Sequence, residues 1–225
     1  MKIVLPLLLA LSVSASCEPK SPNPKTENSV RISDTVVIHD TVYIDNNYGW
    51  QKGWTLSHDI DKDSIAEKPV RFYLDNKNCA PVAADFYYGA FKPTDNLTTA
   101  YLLSLVTTKD NSLRPFYRWI LNMTIQIQDG ALGEYTGIPA RQYAEKYPEE
   151  FFEYMDRDSS GQRYRSWVNS ILYSGFYDID NSEKPKEIQQ KMAKMMKKNC
   201  VNCSVEISGK IEKFTNDCFT NGYEL

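Results

Sequence analysis

Residues 97–127 read LTTAYLLSLVTTKDNSLRPFYRWILNMTIQI. The first ten of these are nearly all apolar along one broad side, which predicts a central helix over 97–106. Asn111-Ser112 opens a second helix over Leu113–Ile127, with Phe116, Trp119, Ile120, Met123 and Ile127 on one face. Their spacing of three and four is that of an amphipathic helix. Pro115 fits a first turn, where the amide has no helical partner.

The same period extends in both directions. Ala80–Phe91 carries Val82, Phe86, Tyr87 and Ala90 at helical spacing, and Lys92-Pro-Thr-Asp95 stops it and caps the next segment. Gly130, Gly133 and Gly137 punctuate a loop after Ile127, and Thr136-Gly-Ile-Pro139 opens a helix to about Lys146. Tyr147-Pro148 breaks that helix and starts Glu149–Met155, with two acids at the positive helix end. Arg163–Phe176 presents Tyr164, Trp167, Ile171 and Leu172, and Pro185–Asn199 is lysine-rich with Ile188, Met192, Met195 and Met196 inward. Ser204–Phe219 reads as a final helix or, from Val205, as a small β-hairpin. The expectation is an all-α body, an irregular helical bundle or array over 49–225, with a possible β element near its C-terminus.

The body contains 225 residues less its N-terminal segments, with 42% apolar and 24% charged residues in the whole chain. That is a globular composition with enough length for a core. The net charge of −3 argues against a nucleic-acid partner, which requires a basic face. The 15 Tyr, 9 Phe and 4 Trp fall at helical spacings and are expected in the core.

The N-terminus reads differently. Met1-Lys2 precedes an apolar run, Ile3–Val13, too short to span a membrane and suited to the core of a secretory signal. Ser14, Ala15, Ser16 and Cys17 follow. This segment resembles the lipobox of bacterial lipoproteins, with Ser14 in place of the commoner Leu. The resemblance implies a signal peptide over 1–16, cleavage before Cys17, and diacylation of Cys17. Glu18–Ser29 holds three Pro and no large apolar residue, so it is expected to be an extended linker. A six-residue repeat follows, Asp34-Thr-Val-Val-Ile-His39 and Asp40-Thr-Val-Tyr-Ile-Asp45. It is similar to the spacers of Bacteroidota envelope lipoproteins and extends the tether to about residue 48. Together these features imply a body held in the cell envelope through the lipid on Cys17, with the outer membrane the favoured location.

Cys79, Cys200, Cys203 and Cys218 remain. In an exported chain, four cysteines read as two disulfides. One C-x-x-C with two distant singles is a weak zinc pattern, and a redox C-x-x-C lacks its strand–helix context. If residues 204–217 form one helix, its length disfavours Cys203–Cys218 and also Cys200–Cys218, which leaves Cys79–Cys218 with Cys200–Cys203; a hairpin restores Cys203–Cys218.

Catalytic patterns are sparse. His39 and His58 both precede the body, so it offers no histidine for a nucleophile–His site or a zinc hydrolase site. No phosphate-binding glycine loop is present, and the acids around Asp59 fail the calcium-loop spacing at Ser64 and Val70. No cofactor or metal is called for. Glu134, Glu149, Glu150, Glu153 and Asp156 are the carboxylates crowded enough for acid–base work. The expected function is a non-enzymatic, lipid-anchored envelope protein that binds another protein, as a complex subunit or an inhibitor or immunity protein. The alternative is a glycan binder or carboxylate-dependent hydrolase using the region Tyr135–Trp167.

Overall fold

The computed structural model describes residues 63–180, 182–201 and 203–220. The signal segment, Cys17, the linker, the repeat and most of the Asp59 cluster lie outside the described residues.

The described chain is all-α apart from one small hairpin. Strands β1 (Ser64–Ile65) and β2 (Lys68–Pro69) pair antiparallel, Ser64 with Pro69 and Ile65 with Lys68. The two turn residues, Ala66 and Glu67, have φ of 48° and 65°. This left-handed geometry matches the twist of a two-residue hairpin, although neither residue is Gly or Asn. Tyr73 anchors the hairpin by donating its hydroxyl to the Ile65 carbonyl at 2.7 Å.

Nine α-helices follow among the described residues: α1 Val70–Leu74, α2 Pro81–Tyr87, α3 Leu97–Ser104, α4 Arg114–Ile127, α5 Gly130–Lys146, α6 Pro148–Asp156, α7 Gln162–Ser174, α8 Pro185–Asn199 and α9 Val205–Thr220. A 3-10 turn, Leu105–Thr107, extends α3. Four helices (α2, α4, α6 and α8) carry Pro in the first turn, as their sequences predict. Asn96 caps α3 by accepting from the Thr99 amide at 2.9 Å, and Asp129 caps α5 through the Leu132 amide at 2.9 Å.

Two expectations are corrected and one open alternative is decided. Of the helix and hairpin readings of residues 204–219, the helix is the one found, α9, and the described strands lie before α1. Ser204 accepts from the Ile207 amide at 3.1 Å, Ile211, Phe214 and Cys218 line the buried side, and Gly209 faces solvent. The segment after Ile127 is not a glycine loop, because Gly130 already starts α5, which runs through Gly133, Gly137 and Pro139 without a break. Helix α3 is peripheral, with Leu97 and Tyr101 exposed while Thr99, Leu102 and Leu103 face inward.

The centre is formed by α4, α5 and α7. Trp167 is fully buried among Tyr143, Phe151 and Tyr154, and its indole donates to Asn122 Oδ1 at 3.0 Å. Trp119 stacks on Phe116 with 9° between the ring planes. The glycines of α5 allow α7 to approach closely. A Cβ on Gly137 would lie 2.4 Å from Gly175 N, Ser170 O and Ser174 Oγ. Ser174 Oγ accepts from the Gly137 amide at 3.1 Å and donates to the Gly133 carbonyl at 2.7 Å, so one hydroxyl is inserted into the α5 ladder. Beside it, Thr136 Oγ1 and Ser170 Oγ share a hydrogen bond of 2.7 Å.

Candidate functional site

The crowded carboxylates are placed by α5 and α6, and most of them are committed to cations. Glu150 receives a two-pronged bond from Arg114, 2.8 Å from Nε and 2.5 Å from Nη2, while Arg114 lies 3.8 Å from the Tyr147 ring centroid. Glu153 accepts from Arg157 at 2.6 Å, and Asp156 from Lys210 of α9 at 2.8 Å. Hydrogen bonds from Lys210 to Asp156 and then Glu206 raise the Lys210 pKa and keep it charged. Glu134 is exposed on α5. The structure thus brings Glu150, Glu153 and Asp156 onto one helix, each as half of an ion pair. Another pairing closes the far end of α5, where Arg141 holds Asp178 through two bonds of 2.8 and 2.7 Å and reaches Glu145 at 3.3 Å. Burial first, offset by Arg141, raises the Glu145 pKa.

A cleft of about 700 Å³ opens between the α6–α7 connection and α9. Its floor is the buried Asp217, which accepts from the Tyr164 hydroxyl at 2.7 Å and is paired with Lys213. Burial, then the hydrogen bond to Asp217, pushes the Tyr164 phenol far up, so it remains a donor. The lip is built by Asp158. Its Oδ1 accepts from the Ser160 amide at 3.1 Å and hydroxyl at 2.6 Å, and its Oδ2 from the Arg163 amide at 2.7 Å. Gly161, with φ of 67°, turns this loop into α7. Arg165 and Asn169 complete a wall of both charge signs. Met155 and Val168 add apolar surface to that wall. Sequence reasoning placed Tyr164 in the core and did not single out Asp217, since the two are 53 residues apart and no local pattern joins them.

Of the cysteine candidates, Cys200 and Cys203 form a disulfide with Cα atoms 5.2 Å apart. Cys79 and Cys218 are free thiols, which corrects the expectation of a second bridge. Cys79 lies just before α2 beside Tyr117 of α4, whereas Cys218 is buried within α9. The unbroken α9 also carries Cys218 about 22 Å from Cys203 along its axis. Burial raises the Cys79 thiol to about 11, and raises Cys218 well above the ordinary value with added repulsion from Asp217.

Among the described residues no group of three or more His, Cys, Asp or Glu is arranged to hold a metal ion. Among them also, no helix is long and apolar enough to cross a membrane. No family model matches the chain, and neither a curated relative nor a solved structure resembles it closely enough to carry an inference.

Proposed function

We propose that the chain is a lipid-anchored, non-enzymatic protein of the cell envelope whose helical body binds another protein. The observation that carries this reading is the apolar run ending in Ser14-Ala15-Ser16-Cys17, followed by a proline-rich linker. Such an arrangement holds a folded body at a membrane surface with reach beyond it. The arrangement of the body supports a binding role. The carboxylates Glu150, Glu153 and Asp156 are tied to Arg114, Arg157 and Lys210 rather than held as an acid and base facing a substrate. Trp119 and Trp167, the indoles among the described residues, pack against the core rather than forming a sugar-stacking platform. Leu97, 85% exposed, and Tyr101 stand one turn apart on the outer face of α3.

The test is crosslinking in intact cells, with a photoreactive side chain at Leu97 or Arg165 and a control at Gly209. The expected result is one defined protein adduct from Leu97 or Arg165 that Gly209 does not give. Equal labelling of many proteins from all three positions would contradict the reading.

A further inference from the structure

Arg118 stands apart from every other buried charge in the described residues. It projects from α4 and is only 7% exposed. One terminal nitrogen donates to the Tyr143 hydroxyl at 3.1 Å and, more distantly, to the Glu150 carbonyl at 3.4 Å. Its Nε is buried without an acceptor. The nearby Glu150 carboxylate is already held by Arg114. Arg141 provides the contrast, since its Nε also lacks an acceptor but its charge is matched by Asp178 and Glu145. The Arg118 guanidinium lies 4.2 Å from the Tyr154 ring centroid, and Arg163 lies 4.2 Å from the same centroid. Two cations therefore share one ring. Cation–π attraction offsets only part of the cost of withdrawing a charge from water.

Arg118 reaches a small cavity of about 210 Å³, which is also lined by Ala66, Asn111, Glu153, Tyr154 and Arg157. The rim includes the hairpin turn, where Ala66 and Glu67 hold positive φ at non-glycine positions. Glu153 on the wall is engaged by Arg157 and Glu150 by Arg114, so neither neutralises Arg118. The cavity thus joins the buried Arg118, whose Nε–H has no acceptor, with a half-exposed guanidinium at the mouth, Arg157, which Glu153 and Glu67 pair, the carboxylates Glu150 and Glu153, and the Asn111 amide.

We propose that this cavity binds a small carboxylate, seated between Arg118 and Arg157 against Tyr154. A planar carboxylate matches the guanidinium fork and supplies the counter-charge that Arg118 lacks. A phosphate dianion fits less well, because Glu150 and Glu153 on the wall repel two charges more strongly than the single charge of a carboxylate. The carboxylate is that of a free small acid or of a peptide C-terminus, since the cavity recognises the group they share. The site is independent of the exposed face of α3 and of the anchor.

The test uses the mature chain labelled with 15N, following the arginine Nε–H signals by NMR. Sodium acetate is titrated against sodium chloride at equal ionic strength, and a tripeptide with a free C-terminus against its amide. The expected result is a saturable shift of one buried Nε–H signal with acetate and not with chloride. Arg157→Gln, at the open mouth of the cavity, should keep the fold and weaken binding about tenfold, the loss of one charge-assisted hydrogen bond. Arg118→Lys should remove both the signal and the response. Tighter binding of the free tripeptide than of acetate identifies a chain terminus as the source, and equal binding identifies a free acid. An acetate titration without saturation, an equal response to chloride, or undiminished binding in Arg157→Gln would overturn the proposal.

Discussion

Replacing Gly137 by alanine tests the packing that organises the body. The new methyl would meet Gly175 N, Ser170 O and Ser174 Oγ at 2.4 Å, whereas ordinary contacts begin near 3.4 Å. Two of these three atoms are backbone, so the shortfall cannot be relieved by a side-chain rotation. Helix α7 must retreat by about 1 Å from a close-packed interface. Overpacking of this kind costs about 1–3 kcal/mol. Retreat also stretches the hydrogen bonds that Ser174 Oγ makes to the Gly137 amide and the Gly133 carbonyl, for about 1–2 kcal/mol more. The better helix propensity of alanine returns about 1 kcal/mol. The expected outcome of Gly137→Ala is a net loss of about 1–4 kcal/mol in urea unfolding, with an unchanged slope. Gly209 in α9 is the internal control, because a Cβ there meets nothing within 4 Å. Gly209→Ala should raise stability by about 0.5–1 kcal/mol. Equal or greater stability in Gly137→Ala would refute the close approach of α5 and α7.

Two other outcomes follow from the thiols and the α6–α7 loop. The unreduced protein lacking Cys17 should show two reactive thiols after denaturation, Cys79 and Cys218, and almost none when native at pH 8, because burial raises both thiol pKa values. Thiol titration with and without denaturant checks this; four thiols, or none, would contradict the assignment. Hydrogen bonds from the Ser160 hydroxyl and then the Arg163 amide hold the Asp158 pKa down to about 2 from the usual 3.8. Its stabilising effect is therefore complete above the unfolded value and lost as pH falls from about 4 to 2. Asp158→Asn should flatten that part of the acid-stability profile, measured by thermal unfolding from pH 2 to 7.

The helices were legible where one face is apolar and the other polar. Pro185–Asn199 has the bounds that its sequence predicts, although Met195, expected inward, is exposed, and Arg114–Ile127 begins within one residue of expectation. The beginning of α5 was hidden because glycine within a helix is read locally as a break, while Gly133 and Gly137 serve contacts made by residues Tyr173–Gly175. Only tertiary packing reveals that use. The peripheral position of α3 was hidden for a similar reason, since Leu97 and Tyr101 carry no mark of exposure in their own sequence. The acids were found by crowding, but their partners were not. Arg114 and Glu150 are 36 residues apart, and Lys210 and Asp156 are 54 apart. Local reading detects a charged helix face and not the cation that will sit on it. Nothing in the Leu113–Ile127 pattern singles out Arg118, and its missing counter-charge emerges only when α4, α5 and α6 are packed together.

The most direct test of the tethered-body account is the mass of the N-terminal peptide from full-length protein purified in detergent from the native cells. The account expects a mature chain that begins at Cys17 and carries a diacylglyceryl group on its sulfur, with a further acyl chain on its amine where the host adds one. A chain that begins elsewhere, or at Cys17 with a free thiol, would contradict it.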